Sequence, residues 1–215
     1  MAKHTLFSNW AEGMTELGIA KTKQRNEQRR CSVNYVIQIS PGMEDKTETM
    51  IREMITGEVC NCCFHPIRHV RKKFHGQWVD RHEKLLPGYV FIISNNIRRL
   101  SQELKKVPVL TKLLGREGDL FVPLSPGEVE WMRQIMDGWP DENSTGIGTA
   151  QEVELSQVKV TKNDMVEILS GPLKNMEGRI KKIHLHKRIA EVEVDFMGRK
   201  AVIHLGVELV GKQGE

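Results

Sequence analysis

The sequence predicts an α+β protein with two domains, on three observations. Between residues 33 and 138, apolar residues recur at strand and at helix spacing in turn. Residues 139–157 are rich in Pro, Asp, Asn, Ser, Thr and Gly and have no periodicity. Residues 158–211 carry only strand patterns, enough for a compact five-stranded barrel. We therefore expect a mixed domain at 33–138, a flexible linker at 139–157 and an all-β domain at 158–211, in a chain of 215 residues.

The elements of the first domain follow from these patterns. Residues 33–39 alternate as a strand, and apolar residues then recur at helical spacing over 43–56. Residues 65–84 form two strand-like runs around His75 and Gly76, which predicts a basic hairpin. The predicted elements that follow are a strand at 88–93, a helix carrying Ile97, Leu100 and Leu104, a strand at 108–115, and a helix that begins at Ser125-Pro126-Gly127-Glu128 and ends near Gly138.

The second domain opens on the most distinctive stretch, Asn163 to Ile180. An alternating strand containing Val166 and Ile168 leads into Gly171-Pro172, where glycine permits positive φ and proline presets a turn. Gly178 is interpreted as a second tight backbone position. Residues 190–196 alternate between apolar and acidic, which predicts a half-buried strand. A hairpin turn is predicted at residues 197–200, and the last strands at residues 201–210.

Charge and hydropathy limit the class of protein. The net charge is +4, and residues 65–84 carry six Lys and Arg against two acids, a pattern that favours phosphate contacts. Residues 1–32 form a polar extension without the apolar core of a signal peptide, and no apolar run is long enough for a transmembrane helix. A cytoplasmic protein without membrane contact is expected.

The cysteines are interpreted as ordinary thiols. Cys60 and Cys63 form a C-x-x-C with Cys62 between them, but a zinc site needs a second pair, and only Cys31 or His65 could complete one. Metal or redox chemistry is the alternative. The sequence predicts no metal site, no cofactor and no catalytic residue.

Two motifs resemble a known family. Residues 163–180 resemble the KOW motif, found in NusG-family transcription factors and some ribosomal proteins. Upstream, five segments in this order and spacing resemble the NGN domain of the NusG family: Tyr35-Val36-Ile37-Gln38, the helix from Gly42, Leu85-Leu86-Pro87-Gly88-Tyr89-Val90-Phe91-Ile92, Val107-Pro108-Val109, and Pro123-Leu124-Ser125. The resemblance covers about residues 35–211. It implies an NGN α/β sandwich with an antiparallel sheet and an SH3-like KOW β-barrel.

The resemblance also implies partners. NGN domains bind the clamp helices of RNA polymerase through an apolar, aromatic surface, and the matching residues here are Tyr35, Leu86, Pro87, Tyr89 and Phe91. Alternation places Tyr89 and Phe91 on one face, opposite Val90 and Ile92. Their alternative role is to cap the sheet. DNA of the transcription bubble is a further candidate partner, and the protein is expected to be a non-enzymatic bacterial monomer.

The second domain is expected to bind a hairpin in nascent RNA. Leu173 stands where housekeeping members usually have Phe, and the turn at 184–188 is unusually basic, so the chain most resembles specialised LoaP-type antiterminators. Flexible cations and turn amides at barrel loops would contact RNA. The candidates are Lys174, Asn175, Arg179, His184, His186, Lys187, Arg188, Arg199 and Lys200. Because alternate loops lie at opposite ends of a barrel, these residues cannot all serve one site.

Two other interpretations remain open at this point. The first is the housekeeping NusG role, a general elongation factor that couples transcription to the ribosome or to Rho. The second is a structural protein of the ribosome that uses the KOW unit alone. For each candidate RNA-binding residue, plain solvated surface charge is the alternative.

Overall fold

The protein's computed structural model describes residues 33–109, 112–114, 116–117, 120–140, 151–161 and 165–210. The predicted extension 1–32, most of the linker and Asn163 lie outside these ranges. Within them the α-helices are α1 (Glu44–Met54), α2 (Ile97–Leu104) and α3 (Pro126–Ile135). Two 3-10 helices span Pro172–Arg179 and Leu185–Lys187.

The strands are numbered in chain order. In the first domain they are β1 (Val33–Gln38), β2 (Cys62–Phe64), β3 (Ile67–Phe74), β4 (Gln77–Lys84), β5 (Tyr89–Ser94), β6 (Lys112–Leu113), β7 (Arg116–Glu117) and β8 (Leu120–Phe121). The later strands are β9 (Glu152–Val153), β10 (Ser156–Val160), β11 (Val166–Ser170), β12 (Ile180–His184), β13 (Ile189–Phe196) and β14 (Arg199–Leu209).

An antiparallel sheet in the order β2-β5-β1-β6 forms the centre of the first domain. One face carries Ile37, Val90 and Ile92, which join an apolar core with Ile51 of α1 and Leu100 of α2. This arrangement confirms the predicted α/β sandwich and antiparallel sheet. Only Lys112–Leu113 of the strand predicted at 108–115 pairs with β1 among the described residues.

The predicted basic hairpin is present as β3 and β4, which pair along their whole length. Its turn residues His75 and Gly76 have φ of 46° and 85°, the left-handed pair that favours a tight two-residue hairpin turn. A short strand, β9, pairs with β3 in parallel. Strand β9 lies inside the stretch predicted as a flexible linker, so the end of that stretch contributes to a sheet of the first domain.

The second domain is a curled sheet in the order β11-β10-β14-β13-β12. Ala190, Val192, Val194 and Phe196 of β13 are buried, while the residues between them are at least partly exposed, as the alternating pattern predicts. The turn from β13 to β14 has positive φ at Met197 and Gly198. The KOW barrel architecture expected from the sequence is therefore confirmed.

Gly171 has the backbone role that the sequence predicted, and Gly178 does not. Gly171 has φ of 89°, and a Cβ there would lie 2.7 Å from the Ser156 Cα, so only glycine fits. Gly178 lies inside the 3-10 helix without positive φ and has open space where a Cβ would be. The segment from Pro172 to Arg179 needs no second residue with positive φ, because its backbone continues as a regular 3-10 helix.

Among the described residues, no helix has both the length and the apolar composition to cross a membrane.

Candidate functional site

The predicted polymerase-binding residues lie on and beside β5, but they do not share one face. Phe91 pairs directly with Val36 of β1, and both belong to an apolar cluster on the side of the sheet away from α1 and α2. Tyr35 pairs directly with Ile92, and directly paired residues point to the same side, so Tyr35 faces the α1–α2 side. The expectation that Tyr35 joins the surface of Phe91 is therefore corrected, because the β1–β5 register sets its direction.

The rest of the predicted set clusters around the start of β5. Leu86 is buried in the same apolar cluster as Phe91, and Tyr89 packs against that cluster while partly buried. Pro87 is exposed in the turn before β5. We call Leu86, Tyr89 and Phe91 the aromatic face.

The barrel covers the aromatic face. The ring of Phe196, in β13, lies 5.2 Å from the Tyr89 ring in an edge-on arrangement and 6.2 Å from the Phe91 ring. Phe91 also stacks on Phe64 at 5.5 Å between ring centroids. A single apolar cluster thus runs from the sheet of the first domain into the barrel core, and the Phe91 side chain is only 1% exposed. The arrangement is closed, with the aromatic face inside the molecule.

Hydrogen bonds hold the barrel against α3 and β5. The Trp131 indole donates to the Asp195 carbonyl oxygen at 3.0 Å, and the Asn175 side-chain amide donates to the Gln134 carbonyl oxygen at 2.8 Å. The Arg199 guanidinium donates to the Tyr89 hydroxyl at 2.7 Å. Asn175 and Arg199, both predicted to bind RNA, are therefore engaged with the first domain.

Glu128 joins the helix cap to this interface. Ser125 and Glu128 form the predicted capping box at the start of α3, in which Glu128 Oε2 accepts from the Ser125 amide at 2.7 Å. The other carboxylate oxygen accepts a hydrogen bond from the Met197 amide in the β13–β14 turn. One buried carboxylate therefore satisfies two backbone donors, one in each domain.

A second contact joins β3 to β14. The Arg68 guanidinium donates to the His204 carbonyl oxygen at 2.6 Å, and Arg71 pairs with Glu208 at 2.6 Å. A Cβ on Gly206 would overlap the His69 carbonyl oxygen and lie 2.6 Å from Leu155 Cδ2. Strand β14 can approach β3 this closely only because residue 206 is glycine.

The predicted RNA-binding residues fall into two groups. Strand β13 separates them, and its eight residues span about 26 Å. One group lies near the Met197-Gly198 turn, where Asn175 and Arg199 meet the first domain. The other lies at the opposite end of β13 and comprises His184, His186, Lys187 and Arg188. This separation agrees with the expectation that the nine residues cannot serve one site.

Several of these residues have acidic neighbours. His184 Nε2 lies 2.8 Å from Glu191, and the hydrogen bond from this imidazole lowers the Glu191 pKa. Lys200 pairs with Asp195 at 2.8 Å, and that hydrogen bond raises the pKa of the Lys200 ammonium. Lys174, Arg179, His186 and Lys187 have exposed side chains.

Sequence reasoning missed an aromatic residue, Trp78, beside the basic turn at 184–188. The guanidinium carbon of Arg188 lies 5.0 Å from the centre of the Trp78 ring, a cation–π contact between barrel and hairpin. Trp78 is 36% exposed and Phe74, across the same hairpin, is 60% exposed. Large aromatic side chains flanking a turn in a basic hairpin were the available sequence signal. Phe74 pairs with Gln77 and Trp78 pairs with Lys73, so the two rings lie on opposite faces of the hairpin. We call Trp78, Lys187 and Arg188 the hairpin surface.

The cysteines of β2 are buried thiols. Cys62 and Cys63 lie on opposite faces of the central sheet, each inside an apolar cluster. Burial raises the pKa of Cys62 to about 11 and raises the pKa of Cys63 well above its usual value. Both are protonated at neutral pH, which supports their interpretation as core residues.

These features define a class of protein: an α/β domain whose aromatic sheet face is covered by a small KOW-type barrel. Residues 34–133 match the family model described as transcription termination factor nusG, and residues 162–195 match the KOW motif. Residues 34–133 therefore match the NusG family, and a KOW motif follows them, which is the order of an NGN domain and a KOW domain.

Several known proteins match 83% of this chain. A protein of Synechocystis sp., named transcription termination/antitermination protein NusG, is 24% identical over 196 residues, covering 83% of this chain and 88% of the relative. A Xylella fastidiosa protein of the same name is 23% identical over 192 residues, covering 83% and 97%. A solved structure described as domain interaction in Thermotoga maritima NusG has a TM-score of 0.48 and 20% identity, covering 83% of this chain and 95% of that one.

Proposed function

We propose that the protein is a transcription antitermination factor that binds RNA polymerase through its NGN domain and structured nascent RNA through its KOW domain. The observation that carries the proposal is the aromatic face on an NGN sheet. Its relatives are named transcription termination/antitermination proteins, which supports the general class. The specialised, operon-specific role rests on the basic turn at 184–188 and on the LoaP-like resemblance.

Polymerase binding through the aromatic face requires the barrel to move away. Phe196 and the Tyr89–Arg199 hydrogen bond occupy that face in the closed arrangement, and one surface cannot hold two partners. Aromatic anchors such as Tyr89 and Phe91 are well suited to a protein interface once they are uncovered. Moving the barrel away also breaks its polar contacts with α3, β5 and β3, so a polymerase surface competes with these contacts as well as with the apolar cluster.

RNA binding is assigned to the hairpin surface. Lys187 and Arg188 would contact phosphates, while the exposed ring of Trp78 offers a face on which an unpaired base stacks. Lys73, exposed on β3, extends the positive charge. The other basic end of the barrel is less suitable, because Asn175 and Arg199 are engaged with the first domain.

The direct test of the function is transcription in vitro across an intrinsic terminator placed behind the leader of the protein's own operon. With polymerase from the same organism, the protein is expected to increase readthrough, and replacing the leader by an unrelated one is expected to remove the effect. Equal readthrough with and without the protein on its own leader contradicts antitermination. An equal increase in readthrough behind both leaders supports a general elongation factor.

The RNA contact has a matched test within the barrel. The double variant Lys187→Glu, Arg188→Glu is expected to weaken binding of the leader RNA and to flatten its salt dependence, because fewer counterions are released. The control is Lys181→Glu, Lys182→Glu, the same charge change on exposed residues of β12. Equal losses of RNA binding in both double variants indicate nonspecific charge attraction. Unchanged RNA binding by the Lys187→Glu, Arg188→Glu variant shows that the RNA site lies elsewhere.

The general NusG role is the second candidate, favoured by the names of the relatives. Leu173 argues against the general role, since this residue replaces the Phe that the resemblance links to ribosome and Rho contacts. The Leu173 side chain is 0% exposed, and its amide donates to the Ser156 hydroxyl at 2.9 Å. A Rho-dependent termination assay separates the candidates, because only the general role predicts stimulation by this protein.

A further inference from the structure

Three side chains from three neighbouring strands converge on one face of the hairpin sheet. His69 of β3 and His82 of β4 are directly opposite each other in the hairpin register. Glu152 belongs to β9, which pairs with β3 on its other side. Glu152 pairs with Ile67, which points to the same face as His69 two residues further along β3, so the register of the sheet places these groups on one face. Neither the NGN nor the KOW surfaces described above use them.

The distances suit a transition-metal ion. One ligand atom from each of the three residues lies within 4.8 Å of the others, and His69 Nε2 is 2.7 Å from Glu152 Oε2. The two imidazole rings lie 4.1 Å apart, nearly perpendicular. Tetrahedral zinc, with bonds of about 2.0–2.1 Å, holds its ligands about 3.4 Å apart. Small side-chain rotations bring the three groups to that spacing.

A fourth side chain orients the central ligand. His69 Nδ1 lies 3.4 Å from Glu154 Oε2, on the opposite edge of the ring from Glu152. A metal bound to Nε2 would replace the present contact of Nε2 with Glu152 and leave the ring proton on Nδ1, where the Glu154 carboxylate would accept it. This carboxylate–imidazole arrangement is the usual partner set of a metal-bound histidine.

We propose that His69, His82 and Glu152 form a binding site for Zn²⁺, with Glu154 as the residue that positions His69. Two imidazoles and one carboxylate are a zinc-type donor set, whereas Ca²⁺ and Mg²⁺ prefer oxygen ligands. His82 is exposed and the other two ligands are partly exposed, so the site is reachable and leaves a coordination position for water.

The site joins the hairpin of the first domain to the segment that leads into the barrel. Glu152 lies directly before the barrel, His69 and His82 lie in the first domain, and the His69 carbonyl oxygen faces Gly206 of β14. A metal bound by all three residues fastens β9 to β3 and stabilises the closed arrangement over the open one. Zinc is therefore expected to oppose any partner that needs the barrel to move away.

The test is a Zn²⁺ titration of the full chain, freed of metal by a chelator, in competition with a chromogenic zinc indicator. Wild type is expected to bind one equivalent through this site. His82→Ala and Glu152→Gln are expected to lose that equivalent, and Glu154→Gln to bind about 10- to 100-fold more weakly. The matched control is His75→Asn, another exposed histidine of the same hairpin, in which Asn tolerates the positive φ.

Two outcomes overturn the proposal. The first is equal zinc binding by wild type, His82→Ala and Glu152→Gln, since the metal then binds elsewhere. The cysteines are the alternative ligands, and replacing Zn²⁺ by Co²⁺ distinguishes them, because only thiolate ligands give a strong near-ultraviolet charge-transfer band. The second is no binding by correctly folded wild type, in which case His69 is only an ion-pair partner of Glu152 and Glu154.

Discussion

At the scale of single residues, burial decides what the cysteines of β2 can do. A thiol reacts through its thiolate, and moving the Cys62 pKa from about 9 to about 11 lowers the thiolate fraction at pH 8 by about 100-fold. Cys63 is still more deeply buried, and its pKa is also raised. The C-x-x-C spacing that suggests redox or metal chemistry is thus overridden by the sheet that encloses it.

Native Cys62 is therefore expected to be alkylated by iodoacetamide at pH 8 at least about 100-fold more slowly than in urea, with a rate that rises as the pH passes 9 toward 11. A raised pKa means that the folded state holds the proton more tightly. The stability that the neutral thiol contributes is complete below pH 9 and is lost as the pH approaches 11. Mass spectrometry of each cysteine-containing peptide measures the rates. Equal native and unfolded rates contradict this expectation.

Residue-level roles were only partly predictable from the sequence. Alternation correctly placed Phe91 on the face opposite Val90 and Ile92, because a strand has a period of two. Alternation within one strand gives no information about the neighbouring strand, so the direction of Tyr35 needed the β1–β5 register. The contact of Trp78 with Arg188 was also missed, since it depends on where the barrel meets the hairpin.

At the scale of elements, α3 was the most predictable, because its start signal is local. Ser125, Pro126 and Glu128 form the capping box within four consecutive residues. The second hydrogen bond of Glu128, from the Met197 amide, was not predictable, because it joins residues 69 positions apart. The pair Ser125 and Glu128 therefore allows the local and the interdomain roles to be separated.

Glu128→Ala is expected to destabilise the protein more than Ser125→Ala. The serine variant loses only capping interactions, which costs about 1 kcal/mol of unfolding free energy. The glutamate variant also leaves the Met197 amide without its acceptor, which adds about 1–3 kcal/mol. Urea unfolding measures both, and amide hydrogen exchange at Met197 is expected to speed up only in the glutamate variant. Equal costs with unchanged exchange would show that the interdomain bond contributes nothing.

At the scale of the whole molecule, the sequence predicted two domains but not their packing. Each domain follows from local periodicity and turn chemistry, whereas their contact depends on surfaces that exist only after both have folded. The covering of the aromatic face, the β3–β14 approach and the hairpin surface all arise from that contact. The candidate polymerase and RNA surfaces are therefore coupled: Phe196 of the barrel covers the first, and Arg188 of the barrel completes the second.

Gly206→Ala tests this coupling at a point remote from the aromatic face. The added methyl group overlaps the His69 carbonyl oxygen, so β14 must withdraw from β3 and the closed arrangement loses population. The apparent affinity for RNA polymerase is then expected to rise. Only the open state can bind, so the apparent affinity is proportional to the fraction of molecules that are open. Gly178→Ala, with open space around the added methyl, is the matched control and is expected to bind as wild type does.

The measurement is binding of labelled protein to core polymerase from the same organism, together with amide exchange at Met197 to report barrel release. Tighter binding with faster exchange in Gly206→Ala alone supports a closed state that masks the aromatic face. Faster exchange with unchanged or weaker polymerase binding contradicts it, because release of the barrel would then leave the polymerase-binding surface no more accessible than before. Circular dichroism at the same temperature separates release of the barrel from unfolding, since a released barrel keeps its strand signal.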